Sequence, residues 1–369
     1  MKILLLGEYS NVHATLAKGL RQLGHKVTVA SNGDLWKGYE RDIDLARKDG
    51  KWGGLCLYIK MISLLPWLRG YDVVQLINPM FLELKAERIK PIYNFLRKHN
   101  KCVVMGAFGM DYYWVSENLH RLPMKYSDFN IGKHLRTDEP ALRERNDWLN
   151  TPKGKLNKII ANSCDGIVAG LYEYWVCYHP VFPDKTVFIP YPVVTDPNIT
   201  IKDSDKNNVV KLFLGISRGR SAYKGTDIMW EAARDICKKY PDKISLRVVE
   251  GLPYHEYVKA MKDADIILDQ LYSYTPAMNS LQAMSMGIIS MGGGEEEGYE
   301  IINEKELRPI INVEPSYHSV YTALEHIAQH PEEVTMRRQQ SVDYVRKHHN
   351  YVHIAKQYEA FYNRLVISK

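Results

Sequence analysis

The chain opens on Lys2-Ile3-Leu4-Leu5-Leu6-Gly7-Glu8-Tyr9-Ser10-Asn11-Val12-His13-Ala14-Thr15-Leu16-Ala17 and continues to Gly24-His25-Lys26-Val27-Thr28-Val29-Ala30. This stretch decides the fold. Lys2–Leu6 is an apolar run of the length and composition of a buried parallel strand. Gly7 to Asn11 reads as a turn. Val12, Leu16, Leu20 and Leu23 then recur at helical spacing. Gly24 ends that helix, because a residue without Cβ takes the left-handed cap at no steric cost. Residues 27–30 are a second strand, which completes a βαβ unit.

The alternation recurs outward from there. Strands are predicted over 71–77, 101–105, 165–169 and 186–189, with a helix over 89–98. Between 111 and 156 the pattern lapses into an aromatic and charged excursion that includes Tyr112, Trp114, Arg121, Lys125, Arg136 and Trp148. Long excursions in α/β domains are places where specific partners bind. Residues 192–208, ending in Lys202-Asp203-Ser204-Asp205-Lys206-Asn207-Asn208, read as a linker.

A second set follows: strands over 210–214, 244–249, 265–268, 288–290 and 309–312, helices over 227–239, 254–261 and 280–286, and a helical tail over 331–365. The pattern predicts an α/β protein of two doubly wound, Rossmann-like domains, residues 1–195 and 196–350.

Composition sets limits on function. The chain has 369 residues, 45% hydrophobic and 25% charged, which suits two folded domains and not a disordered chain. The apolar stretch 55–68 is shorter than the ~20 residues a spanning helix needs. It also contains Lys60 and Pro66, and is expected to be a buried or interfacial helix. The N-terminus lacks the apolar core and cleavage site of a secretory leader. Five scattered cysteines form no CxxC pair. Both features predict a cytoplasmic protein with reduced thiols.

The net charge of +6 is unevenly placed. Residues 1–194 hold 27 Lys and Arg against 19 Asp and Glu, and the remainder holds 22 against 24. A basic first half fits an anionic partner: phosphate, pyrophosphate or an acidic membrane surface. Its cations are dispersed and no nucleic-acid-binding module is visible, so nucleic acid is not expected.

In parallel sheets, ligands bind beyond the carboxyl ends of the strands, where helix N-termini present N–H groups to anions. The loop Gly215-Ile216-Ser217-Arg218-Gly219-Arg220-Ser221-Ala222-Tyr223-Lys224-Gly225 follows one such strand with three cations and three glycines. It fits a diphosphate and offsets the charge that grows on a leaving group. In the segment 272–287, a helix is expected to start at Asn279 or Ser280, with Gln282 in its first turn beside the same ligand. Loops Gly7 to His13 and Gly106 to Asp111 face the ligand side of the first domain; their best groups for a substrate hydroxyl are His13 and Asp111. The opening loop lacks GxGxxG, which argues against a dinucleotide site. His349 and His353 have i,i+4 spacing but no accompanying carboxylate, so a solvated helix face is expected in place of a metal site. Gly292-Gly293-Gly294-Glu295-Glu296-Glu297-Gly298 permits close backbone approach to a ligand, although its glutamates repel phosphate.

Taken together, these motifs resemble the GT-B-fold glycosyltransferases, most closely the retaining family 4 type. The resemblance rests on Asn11-Val12-His13-Ala14-Thr15-Leu16-Ala17 with Gly24-His25-Lys26-Val27, on Phe108-Gly109-Met110-Asp111, and on Val187-Phe188-Ile189-Pro190. It extends to Lys224-Gly225-Thr226-Asp227, Asp263-Ala264-Asp265-Ile266-Ile267 and Leu281-Gln282-Ala283-Met284-Ser285-Met286-Gly287. It implies two Rossmann-like domains facing a central cleft, with residues 351–369 packing back on the first. It also implies an acceptor, glycan or lipid-linked, in the first domain and a UDP- or GDP-sugar donor in the second, with no obligatory metal. The donor set it implies is Gly7, Ser217, Arg218, Arg220, Lys224, Gly225, Glu250, Tyr274, Asn279, Ser280 and Gln282; the catalytic set is His13, Asp111, Arg218 and Lys224. A place in polysaccharide or lipid-linked glycan synthesis, at the inner face of the membrane, follows from the same resemblance. Two positions depart from the family pattern. Its paired glutamates fall at Tyr274 and Gln282, and its arginine falls at Gly219, flanked by Arg218 and Arg220. A sugar-nucleotide isomerase and a non-catalytic sugar-nucleotide-binding protein are the alternatives on the same architecture.

Overall fold

The computed structural model describes residues 1–201, 209–217 and 219–369, so the linker reading over 202–208 falls outside the described residues. In chain order the first 192 residues form β1 (Lys2–Leu6), α1 (Val12–Gln22), β2 (Lys26–Ser31), β3 (Ile43–Asp44), α2 (Gly53–Leu64), β4 (Val73–Leu76), α3 (Ala86–His99) and β5 (Cys102–Ala107). Then come α4 (Tyr112–His120), β6 (Asn130–Ile131), β7 (His134–Leu135), α5 (Glu139–Trp148), α6 (Pro152–Ser163), β8 (Gly166–Ala169), α7 (Tyr172–Tyr178) and β9 (Thr186–Phe188). The remainder forms β10 (Val210–Ile216), α8 (Ser221–Lys224), α9 (Thr226–Lys239), β11 (Ile244–Glu250), α10 (Tyr254–Met261), β12 (Ile266–Leu268) and α11 (Met278–Ser285). It ends with β13 (Ile289–Gly292), α12 (Glu296–Ile301), β14 (Ile311–Asn312), α13 (Tyr317–Gln329), α14 (Glu333–His348) and α15 (Tyr351–Ile367).

The chain divides into two compact units: Met1–Pro123 with Leu142–Pro192 and Tyr351–Lys369, and Met124–Ala141 with Val193–Asn350. In the first, seven strands pair in parallel in the order β3-β2-β1-β4-β5-β8-β9. Every residue of β4, β5 and β8 is buried, which is why β5 and β8 read as continuous apolar runs and not as alternation, while β4 is interrupted by Gln75. The strand order reverses between β1 and β4. Helix α15 packs on α1 at a close approach set by Gly19, where a Cβ would lie 2.5 Å from the Tyr351 carbonyl oxygen. Any larger residue there would push the two helices apart.

In the second unit five strands pair in parallel as β11-β10-β12-β13-β14, with the reversal between β10 and β12. Both faces of this sheet are covered. Leu212, Leu214 and Ile266 join Met229 and Ile236 of α9 and Val320 and Leu324 of α13 in one apolar cluster. Phe213 and Ile267, pointing the other way, join Met261 of α10 and Ala283 of α11 in another. The two-residue alternation of side chains along a strand produces this two-sided burial.

Two local features differ from the sequence reading. The helical tail breaks at His349 and Asn350, where the Val193 N–H donates to the His349 carbonyl at 2.7 Å and Asn350 Nδ2 donates to Thr195 Oγ1 at 2.9 Å. His349 is buried at this break, while His353 is exposed on α15, so the pair does not share one solvated helix face. The part of the excursion spanning Met124–Ala141, read as lying within residues 1–195, belongs to the compact unit of the second sheet and carries the antiparallel β6–β7 hairpin.

Candidate functional site

In the second unit the switch point lies between β10 and β12, and the loops leaving the carboxyl ends of these strands meet there. The Leu271 N–H, after β12, donates to the Lys224 carbonyl, after β10, at 2.9 Å. Gly225 makes this approach possible. Its φ is +72°, and a Cβ would lie 2.9 Å from that of Leu271. The loop from Ser217 to Lys224 tightens through the Arg220 N–H, which donates to the Ser217 carbonyl at 3.0 Å. Ser217 and Arg220 are exposed, and the Arg220 guanidinium sits 4.8 Å from the Tyr223 ring centroid. Lys224 is half-buried on the last turn of α8. Arg218 lies outside the described residues.

The helix after β12 differs from its sequence reading. It starts at Met278, with Ala277 at the cap position and no capping side chain. Asn279 and Ser280 are inside the helix and turn onto Asp269, a buried carboxylate that the sequence reading missed. Asn279 Nδ2 and Ser280 Oγ donate to its two oxygens, each at 2.8 Å. The Asn279 amide also donates to the Tyr257 hydroxyl at 3.1 Å. These two side chains therefore anchor the helix, and what α11 offers an anion is its uncapped N-terminal turn. Because the helix starts at Met278, Gln282 falls just beyond the first turn, and its Oε1 accepts from the Tyr254 hydroxyl at 2.6 Å. Glu250 is exposed at the end of β11.

Tyr274 is fully buried, and its hydroxyl donates to Glu297 Oε1 at 3.0 Å. Burial, reinforced by the Glu297 carboxylate, pushes the phenol far above its ordinary range. The triglycine loop is packed tight: a Cβ on Gly293 would lie 1.9 Å from the Ser273 carbonyl oxygen. Glu295, buried beside it, accepts from Lys125 Nζ at 2.8 Å, the Tyr126 hydroxyl at 3.1 Å and Asn312 Nδ2 at 3.2 Å. Arg136 lies 3.5 Å over the Tyr272 ring and pairs with Asp138. The segment from Lys125 to Asp138 thus packs on the loops that follow β12 and β13. Sequence periodicity carried no sign of these contacts.

In the first unit the switch point lies between β1 and β4. A small cavity of about 60 Å³ there is lined by Gly7, Glu8, Tyr9, Ile77 and Phe81, among others. Gly7 has φ +87°, and its side-chain space is filled by Ile77. Glu8 is buried and accepts from the N–H groups of Ala14 at 2.8 Å and His13 at 3.3 Å. Burial pushes its carboxyl up to about 8, against the pull of those N–H groups. The N-terminus of α1 is therefore already occupied by a carboxyl group of the chain itself, and is closed to a ligand phosphate in this conformation.

His13 and Asp111, expected to face a substrate hydroxyl, are both fully buried and engaged. His13 Nδ1 donates to the Gly7 carbonyl at 2.8 Å, and Nε2 meets Gln75 Nε2 at 3.2 Å and accepts from it. Gln75 Oε1 accepts in turn from the Tyr362 hydroxyl of α15. Burial lowers His13 to about 4, so the ring is neutral. Asp111 caps α4 by accepting from the Trp114 N–H at 2.8 Å, and also accepts from the Tyr178 hydroxyl at 2.7 Å. Burial raises it to about 7. Both residues hold the first sheet to its helices in this conformation. Among the described residues, no cluster of three or more His, Cys, Asp or Glu has metal-binding geometry.

No protein-family model and no curated protein sequence matches the chain. Solved structures do match along its whole length. The Anabaena protein HepE, solved with UDP-glucose, superposes with a TM-score of 0.62 at 11% identity, with 100% of both chains covered. Sucrose-phosphate synthase from Thermosynechococcus elongatus gives 0.59 at 11%, again with 100% of both chains covered. UDP-GlcNAc 2-epimerase from Neisseria meningitidis, bound to UDP-GlcNAc, gives 0.54 at 14%, covering 98% of this chain and 99% of that one. The fold is GT-B. Within it, the loops joined by Lys224 and Leu271 lie at the carboxyl edge of the second sheet, where open α/β sheets take their ligands.

Proposed function

We propose that the chain transfers a sugar from a nucleotide diphosphate donor to an acceptor hydroxyl. The observation that carries this reading is the bond between Leu271 and Lys224, which brings a cationic loop and the loop leading to an uncapped helix together at one switch point. A diphosphate there would meet the Lys224 ammonium, the Arg220 guanidinium and the first N–H groups of α11. Such fixed donors stabilise the charge that builds on the leaving group as the glycosidic bond breaks. They also hold donor and acceptor in reacting geometry. Gln282, with its Oε1 on the Tyr254 hydroxyl, retains amide N–H groups for a donor hydroxyl. The sugar is a hexose transferred with retention, as the resemblance to family 4 implies, from a UDP- or GDP-sugar and without a metal. The acceptor is a glycan or a lipid-linked sugar.

A thermal-shift screen against UDP-, GDP-, ADP- and CMP-sugars tests this. A donor at 100 times its Kd stabilises by about 2.7 kcal/mol. Stabilisation of the wild-type chain by a UDP- or GDP-sugar, lost in Lys224→Ala, is the expected result. No shift with any of them overturns the reading.

One observation favours a second reading. His13 and Asp111, the side chains expected to orient an acceptor hydroxyl, are both held inside the fold. A sugar-nucleotide isomerase needs no acceptor, and the Neisseria epimerase is among the structures that superpose. NMR of the donor alone separates the two: an isomerase converts it without any acceptor.

A further inference from the structure

Helix α2 has two unlike faces. Gly53, Leu57 and Met61, four residues apart, are buried and fix the helix to the first unit. The opposite face carries Cys56, Ile59, Ile62 and Ser63 into solvent, with Ile59 59% exposed and Ile62 44%. Trp52 precedes the helix at 73% exposure, and Trp67 follows it at 74%. A solvent-facing helix surface ordinarily carries charges. Here the only charge within the helix is Lys60, at the margin of the apolar face. Between residues 47 and 70 the charged side chains are Arg47, Lys48, Lys51, Lys60 and Arg69 against Asp49 alone, all exposed.

We propose that this face docks in the plane of an anionic lipid surface. Aliphatic side chains bracketed by tryptophans match the acyl boundary and the headgroup level, where indole rings sit with an apolar body and a polar N–H. The surrounding cations match negatively charged headgroups. A 12-residue helix is about 18 Å long, too short for a hydrocarbon core of about 30 Å, so it lies on the membrane and does not span it. No helix among the described residues is long and apolar enough to cross one. A second copy of the chain fits this face less well, because a self-complementary contact would bring two sets of the same cations together.

The proposal is independent of the sugar-transfer reading: vesicle flotation reports on α2, whereas the nucleotide-sugar thermal shift reports on the loops around Lys224. The probe is phosphatidylcholine vesicles with and without phosphatidylglycerol, at low and high salt. Expected is flotation of the full chain with the anionic vesicles only, weakening as salt screens the cations. The variant Trp52→Ser/Ile59→Ser/Trp67→Ser lowers the partition coefficient at least about tenfold. Charge reversal by Lys48→Glu/Lys51→Glu/Arg69→Glu does the same, and leaves the apolar face and the unfolding midpoint intact. Absence of wild-type binding at low salt, or equal binding by both variants, overturns the proposal. So does sedimentation showing a wild-type dimer that the apolar-face variant dissociates without any vesicle binding, which would make the face a self-interface.

Discussion

Leu271 and Lys224 are joined backbone to backbone, N–H to carbonyl, at 2.9 Å. The bond belongs to the main chain, so it survives removal of the lysine side chain. Lys224→Ala should leave the unfolding midpoint of the ligand-free protein within experimental error while reducing turnover at least about tenfold, as loss of a charge-stabilising donor does. Thermal unfolding and initial-rate assays on the same preparation check both halves. An unchanged rate would remove Lys224 from the site.

Gly225 makes the same junction possible from the other side. An alanine there must hold φ near +72° and place its Cβ 2.9 Å from that of Leu271. The left-handed conformation alone costs an L-residue about 1–2 kcal/mol. Gly225→Ala should therefore lose at least that much in urea unfolding and weaken donor binding as well, because the two loops separate.

Gln282 and Tyr254 are paired side chain to side chain at 2.6 Å, on the helices that follow β12 and β11. If the Gln282 amide holds a donor hydroxyl, Gln282→Ala should raise the donor Kd about tenfold, roughly 1.4 kcal/mol. The midpoint without ligand should stay close to wild type, since the residue is only partly buried. Isothermal titration with the stabilising nucleotide sugar gives the number.

The opening βαβ unit was legible because a parallel strand buried on both faces leaves an unbroken apolar signature, as in Ile3, Leu4, Leu5 and Leu6 of β1. Helix α10 was read to the residue for a related reason: its apolar positions recur without interruption. The polar interior was not legible. Glu8, Asp269 and Glu295 are acidic residues in loops, and nothing local distinguishes them from surface acids. They are buried because the fold brings donors onto them: N–H groups of the next helix onto Glu8, the Asn279 amide and Ser280 hydroxyl onto Asp269, and the distant Lys125 ammonium and Tyr126 hydroxyl onto Glu295. His13 and Asp111 were singled out by chemistry and motif, yet the Gly7 carbonyl, Gln75, Trp114 and Tyr178 satisfy them from inside the fold. The packing of residues 124–141 with the second unit was hidden likewise, since it rests on Tyr126, Arg136 and their distant partners.

Asp111 separates a structural role from a chemical one. Asparagine can accept from the Trp114 N–H as a cap, whereas alanine can accept nothing. Asp111→Ala should cost about 1–3 kcal/mol of stability, through the lost cap and the lost acceptor for the Tyr178 hydroxyl. Asp111→Asn should recover most of it. With the residue confined to structure, the asparagine variant keeps its turnover per folded molecule; a large loss of turnover in a stable Asp111→Asn protein would return it to the reaction.

His13 makes stability depend on pH. Its folded pKa, held down to about 4 by burial, lies below the ordinary value of 6.5. Between those values the unfolded chain takes up a proton that the folded chain refuses. The contribution is therefore fully present above pH 6.5 and is lost as pH falls toward 4, by about 1.4 kcal/mol per pH unit. Glu8 and Asp111, raised by burial to about 8 and about 7, tilt the other way: their folded forms hold protons that the unfolded chain releases, so their contribution falls as pH rises above the ordinary carboxyl range. Comparison with His13→Gln isolates the histidine from these opposing slopes, because glutamine does not titrate. Urea unfolding at pH 7.0, 6.0 and 5.0 should show the wild-type chain losing stability faster than the variant on acidification, whatever the variant costs at neutral pH. Parallel pH profiles would mean that the ring is protonated inside the fold, and would break the chain of donors running from Tyr362 through Gln75 to His13.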